Sequence, residues 1–351
     1  MTPSPDIPND HPDNPRGGPE LPRGGPVIPG HHSDGFAGDP GNASGAPGNR
    51  AGDAGIHDDA DIDPGRRRFI LRGAAGLTAF SLTHALAAAN PLASANPLGN
   101  VSGDEDYEIV YKTVRIPRMP DELKGLRAVM ISDIHAGPMD KATMDRYVAR
   151  VNRLKPDIIL IPGDFVHNRN EQAEPLCEAL SKLESRHGTF GCTGNHDYIA
   201  DADFVSKELE HAGVRMLRDA HTRIEVKGKE LALIGLDDIR EEEHFGPRFR
   251  AAVDGLDARL PNIVLCHKPY YLEEASEFGV GLMVSGHTHG GQIVAARIFG
   301  YPLSLALLFS KYVEGLYRVD RTQMYVTRGI GTTGIHVRVN CPPEITVLTL
   351  V

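Results

Sequence analysis

Apolar and polar positions change their period from segment to segment, and each change predicts an element. Positions 108–117 alternate as a strand does, whereas 127–132 form a short continuous apolar run suited to a sheet covered on both faces. From 141 to 154 the residues Met144, Tyr147, Val148, Val151 and Leu154 recur at helical spacing, and Pro156 ends the helix. A strand at 157–161, a helix at 175–183, a strand at 189–193 and a helix at 203–211 continue the alternation. Short strands follow at 223–226, 231–236, 263–266, 282–285, 312–319, 324–327 and 345–350. A first half that alternates strand with helix and a second half rich in strands predict an α/β fold. Its expected form is two stacked mixed β-sheets flanked by helices, in four α/β/β/α layers.

Ahead of this body, which spans 107–351, the periodicity is absent. Residues 1–64 are dominated by Pro, Gly, Asp and Asn, with no apolar stretch able to form a packing face, and are expected to be a disordered leader. Residues 65–95 run from Arg66-Arg67-Arg68 through a mildly apolar Ala/Leu/Thr stretch to Ala93-Ser94-Ala95, a small-residue cleavage site. This order resembles a twin-arginine (Tat) signal peptide, and a translation start downstream of Met1 would give it the usual short basic opening. The run 70–89 carries Arg72 and His84 and is rich in Ala and Gly, so cleavage is expected over a retained N-terminal anchor. Residues 96–106 read as a linker. The resemblance implies the Tat machinery as a partner and a destination in the periplasm, the cell wall or the outer face of the membrane.

Charge and cysteine usage narrow the chemistry. A formal charge of -10 on 351 residues argues against a general nucleic-acid binder, which needs clustered Lys and Arg, so no nucleic-acid partner is expected. An acidic chain that handles phosphates needs a local cation, which bound metal would provide. Cys177, Cys192, Cys266 and Cys341 lie far apart with no C-x-x-C pair, which excludes a zinc knuckle and a dithiol redox motif. Cys192 and Cys266 end buried strands and read as small apolar residues beneath a site. Export would expose the thiols to oxidation.

Buried strands end, one after another, in polar clusters: Asp133-Ile134-His135, Gly163-Asp164, Gly194-Asn195-His196-Asp197, His267, and Gly286-His287-Thr288-His289-Gly290-Gly291-Gln292. Taken singly each has a harmless reading as a turn, a loop or a satisfied histidine. In series they do not, because ligands gather at the carboxyl ends of strands in α/β sheets and buried polar groups left unpaired cost several kcal/mol. Carboxylate, imidazole and amide donors without thiolate suit two divalent ions such as Mn, Fe or Zn. A carboxylate lying between the two can bridge them, and such a pair drives in-line phosphoryl displacement.

The series resembles the calcineurin-like metallophosphoesterase superfamily over about 107–351. Its spelling at 286–292, with Thr327-Arg328-Gly329-Ile330-Gly331-Thr332-Thr333 and Cys341-Pro342-Pro343-Glu344-Ile345, is similar to the exported or membrane-associated branch typified by YkuE and YaeI. The resemblance implies that Asp133, His135 and His289 hold the first metal, that Asn195, His267 and His287 hold the second, and that Asp164 bridges them. It further implies that His196 is the outer-sphere acid or transition-state stabiliser and that Asp197 orients His196 or a ligand. One departure stands out: Tyr270 follows Pro269 where the branch often has an acid.

The implied activity is metal-dependent hydrolysis of phosphate esters in the cell envelope, as a phosphodiesterase or pyrophosphatase. Relatives that cleave the pyrophosphate of UDP-diacylglucosamine extend the implication to lipid-linked substrates. The alternatives are a phosphomonoesterase or nucleotidase, and a non-catalytic metal-bearing envelope interaction module. His196, which no structural metal needs, argues against the module. Ile298, Phe299, Tyr301, Leu303, Leu305, Leu307, Leu308 and Phe309 form an apolar block broken by Gly300 and Pro302. An interior hairpin is the ordinary reading of such a block. Its closeness to His287 and His289 predicts instead an apolar lip at the site and contact with acyl chains or a membrane surface.

Overall fold

The computed structural model describes residues 107–239, 244–298 and 300–351, and the backbone of 101–102. Its strands and helices follow in chain order: β1 (Val101–Ser102), β2 (Glu108–Val114), β3 (Arg127–Met130), α1 (Lys141–Arg153), β4 (Ile158–Pro162), α2 (Ala173–Leu180) and β5 (Thr189–Cys192). Then come α3 (Asn195–Ile199), α4 (Ala202–His211), β6 (Val214–Met216), β7 (Ala220–Val226), β8 (Lys229–Gly235), α5 (Phe245–Ala252) and β9 (Asn262–Leu265). The last are α6 (Leu272–Glu277), β10 (Leu282–Ser285), β11 (Ala296–Ile298), β12 (Tyr301–Leu303), β13 (Gly315–Val319), β14 (Thr322–Val326), β15 (Arg338–Val339) and β16 (Glu344–Leu350).

Two six-stranded sheets result, in the orders β2-β16-β3-β4-β5-β6 and β13-β14-β10-β9-β8-β7. In the first, β3, β4, β5 and β6 run parallel, with Met130 level with Leu160 and Pro162 with Cys192. In the second, β8, β9, β10 and β14 run parallel, with Leu265 level with Val284 and Ser285 with Val326. Successive side chains on a strand face opposite ways, so each strand is shared between two cores. Ile158 and Leu160 pack between the sheets with Leu233, Leu265 and Val284. Ile159 and Ile161 face Val148, Val151, Leu176 and Leu209 on α1, α2 and α4. On the far side Val264, Met283 and Met324 meet Phe245, Phe249 and Leu272 on α5 and α6. The layers are therefore α/β/β/α, as the patterning predicts.

The first helix starts where Asp140 accepts the backbone N–H of Thr143 at 2.7 Å, and Arg150 and Arg153 lie in its last turn, favourably for the helix dipole. Several elements depart from the sequence reading, among them β6, α3, β11, β12 and β15, which it did not include. α5 contains Gly246 and Pro247, which read as turn signals, but Pro247 lies in the first turn, where a missing N–H is tolerated. α6 follows Pro269 too closely to show a period of its own. The strand expected from 312 begins only at Gly315.

The leader and signal peptide expected at 1–64 and 65–95 lie outside the described residues. Val101–Ser102, expected within a linker, pair antiparallel with Arg338–Val339. Among the described residues no helix is long and apolar enough to cross a membrane. Phe299 of the apolar block lies outside the described residues, and the rest is not an interior hairpin: Tyr301 is 65% exposed, Leu305 and Leu308 76% each, and Phe309 79%.

Candidate metal centre

Every polar cluster singled out in the sequence lies just past the carboxyl end of a parallel strand: β3, β4, β5, β9 or β10. The chain bends there through unusual backbone. Asp133, His135, Asp164, His287 and His289 all have positive φ, between 48° and 72°. Non-glycine residues in this region are strained, a cost that collects at functional sites. The flanking glycines answer a different need. A side chain at Gly286 would collide with the Asp133 carboxylate, and one at Gly194 with that of Asp164.

Asp133, His135 and His289 bring one potential ligand atom each within 4.8 Å of one another, and Asp164, His267 and His287 do the same. Asp164 joins the two groups. Its Oδ2 lies 3.2 Å from His267 Nε2 and 3.5 Å from His135 Nε2, while its Oδ1 accepts the backbone N–H of His196 at 2.8 Å. Asn195 Oδ1 is 3.2 Å from His267 Nε2, and His267 Nδ1 donates to the Pro162 carbonyl at 2.8 Å, which turns Nε2 inward. Asp133 Oδ1 accepts the backbone N–H of His287 at 2.8 Å. Asp133, His135, Asp164, His267 and His289 are buried, whereas Asn195, His196 and His287 are half-buried and mark the open side.

These residues fit a pair of cations. Among the described residues Asp133 Oδ2 is buried with no hydrogen-bond partner, at a cost that a cation in its reach would remove. The Nε2 atoms of His135 and His289 stand 3.1 Å apart. Two lone pairs that close repel unless a proton or a metal sits between them. The donor set contains carboxylate, imidazole and amide and no thiolate, the chemistry of Mn, Fe or Zn.

Protonation is arranged accordingly. Burial holds His135 and His287 down to about 3 and His289 well below its ordinary range, so these imidazoles stay neutral. Burial pushes Asp133 up to about 6. Burial opposes ionisation of Asp164 as well, but His267 and His135 outweigh it and hold the carboxyl well below the usual range. Burial likewise opposes charge on His267, and Asp164 overrides it, raising His267 to about 10. The metal-free site thus contains a carboxylate and imidazolium pair.

Three neighbours were not legible in these roles. Asp197, expected to orient His196 or a ligand, accepts backbone N–H groups of Phe165, Val166 and Gly194 at 2.8 to 3.1 Å. It ties the Asp164 loop to the Asn195 turn. His167, three residues beyond Asp164 and unmarked by any motif, forms a further close group with His135 and His196, and its carbonyl accepts from His196 Nδ1 at 2.6 Å. Arg338 is buried and donates to the carbonyls of Arg328, Gly329, Gly331, His289 and Cys341, fastening the tail loops around His289. Gly331 in turn donates to the Asp133 carbonyl at 2.8 Å. All four cysteines are free, and Cys341 donates to the His289 carbonyl.

On the open side a cavity is lined by Tyr270, His287, Thr288, Ala306, Phe309 and Ser310. The exposed apolar block therefore supplies part of the wall next to a candidate ligand, and Tyr270, where the branch often has an acid, stands with its ring 5.6 Å from that of His287.

Residues 126–291 match the family model for calcineurin-like phosphoesterase. The chain is 30% identical to the uncharacterized metallophosphoesterase YkuE of Bacillus subtilis, over 69% of this chain and 85% of YkuE. It is 29% identical to phosphodiesterase YaeI of Escherichia coli, over 68% of this chain and 86% of YaeI. A transmembrane protein with metallophosphoesterase domain from Danio rerio is 33% identical over 72% of this chain, and the match spans 59% of that protein's length.

Proposed function

The chain belongs to the calcineurin-like phosphoesterases, and from that premise we propose that it hydrolyses phosphodiesters or pyrophosphates with two divalent ions, acting in the cell envelope. Asp133, His135 and His289 would hold one ion, Asn195, His267 and His287 the other, with Asp164 shared. The observation that carries this reading is the single oxygen Oδ2 of Asp164, which faces an imidazole of each set.

When bound, the ions supply a nucleophile at neutral pH and neutralise charge on the phosphoryl group. The protein's own groups do the rest. His196 gives Nδ1–H to the His167 carbonyl, so that in its imidazolium form Nε2 carries the second proton, which passes to the departing oxygen and leaves the ring neutral. Its backbone N–H holds the unshared oxygen of Asp164 and so keeps Oδ2 turned inward. Asp197 and Arg338 fix the loops that carry the ligands.

Preference for diesters is supported by the likeness to YaeI, a protein named as a phosphodiesterase. A lipid-linked substrate, such as UDP-diacylglucosamine, is supported by the exposed apolar block whose Ala306 and Phe309 adjoin His287. Hydrolysis of bis(p-nitrophenyl) phosphate, compared with the p-nitrophenyl monoester, tests the reaction class, and faster turnover of the monoester would sink the diester reading. The envelope assignment rests on the Arg66-Arg67-Arg68 leader. Arg66→Lys with Arg67→Lys should leave active protein in the cytoplasm, and normal export of this variant would refute the leader's role.

A further inference from the structure

His167 lies on the loop that leaves β4, past Asp164, with its ring against that of His135. The two Nδ1 atoms are 3.4 Å apart, and the rings meet edge to face with centroids 5.4 Å apart. The other nitrogen of His135, Nε2, faces His289 and Asp164, the side that an ion would occupy. An imidazole that offers its Nε2 lone pair to a cation carries its proton on Nδ1. The Nδ1 of His167, 3.4 Å away, faces that proton, and its own proton must then sit on Nε2.

The backbone of His167 is held independently of its ring. Its N–H donates to the Ala136 carbonyl at 3.1 Å and to Gln172 Oε1 at 2.9 Å, while its carbonyl accepts from His196. A change of side chain therefore removes the acceptor for His135 and leaves the carbonyl that holds His196 in place, and Phe also keeps a ring where that of His167 stacks on His196 with centroids 5.1 Å apart.

We propose that His167 is a positioning residue that locks His135 in its metal-binding tautomer, an assignment that rests on the two-metal reading above. The test compares Mn²⁺ binding to the full chain and to its His167→Phe and His167→Asn variants, by calorimetry and by competition with a chelating dye. Phe fills the space and accepts nothing, whereas the Asn amide oxygen takes the place of Nδ1. In the Phe variant one ion should bind about 10- to 100-fold more weakly while the other keeps its affinity, and the Asn variant should recover most of the loss. The melting temperature of the metal-free protein should be the same in all three, since His167 is only half-buried. Unchanged affinity for both ions in the Phe variant would overturn the assignment, as would equal weakening by Phe and Asn. Wild-type chain that takes up no pair of ions would overturn the two-metal reading itself, and this assignment with it.

Discussion

Asp164 and His196 touch through one hydrogen bond, yet their side chains have separable duties. Asp164→Ala should weaken both ions, because its Oδ2 serves each set, whereas His196→Ala should retain metal and lose about 10²- to 10⁴-fold in kcat. Metal analysis beside steady-state kinetics checks the pair, and a His196→Ala variant that lost its ions would refute the division of labour. Proton balance offers a second check. His267, raised to about 10, must give up its Nε2 proton to bind an ion, whereas His135 and His287, held down to about 3, have none to give. Loading at pH 8 should therefore release a proton from His267 besides the one lost by water that the ions ionise, and below pH 6 Asp133 should release its own. Calorimetry in buffers of different ionisation enthalpy reads the number, and buffer-independent heats at pH 8 would contradict it. At this scale the ligand-type side chains could be picked from the spelling, since acids, imidazoles and an amide recur at strand ends. His167 could not, because a lone histidine in a loop carries no spacing signal, and Asp197 kept its place while its partners proved to be backbone amides.

The elements that carry the site were legible for a physical reason: β4 is buried on both faces and so reads as an unbroken apolar run, and α1 is buried on one face and so shows period 3.6. The turns between them were not, because Asp and His, though enriched in left-handed backbone, adopt it too seldom for Asp133, Asp164 and His289 to announce it by residue type. The segment from Tyr301 to Phe309 belongs to the same scale. Its composition fits a core hairpin, and only its exposure and its seat beside His287 turn it into a lip. Leu307→Ser with Leu308→Ser should raise KM for an acylated phosphoester by about tenfold while leaving a small soluble diester nearly unchanged. Stability should hold within about 0.5 kcal/mol, as for other surface changes. If both activities fell together with the melting temperature, the segment would be structural and acyl recognition would have to lie elsewhere.

Across the whole molecule, two sheets packed face to face bring strand ends that are far apart in the chain to one edge, so that Asp133 and His289, separated by 156 positions, share a site. The alternation of patterns forecast two sheets, but neither the strand order nor the insertion of β16 between β2 and β3 could be read from local periods, because they depend on pairing across the length of the body. The tail closes the centre. Gly331 binds the Asp133 carbonyl, and Arg338 binds the loop of His289, so the last strands serve the first ligand. Whether two ions occupy this junction and drive hydrolysis is decided by a metal titration of the full, metal-stripped chain with bis(p-nitrophenyl) phosphate turnover followed at each step. About two ions should bind per chain, with turnover appearing as the second is taken up and disappearing with a chelator. Binding of a single ion, or turnover that persists after every ion has been removed, would contradict it.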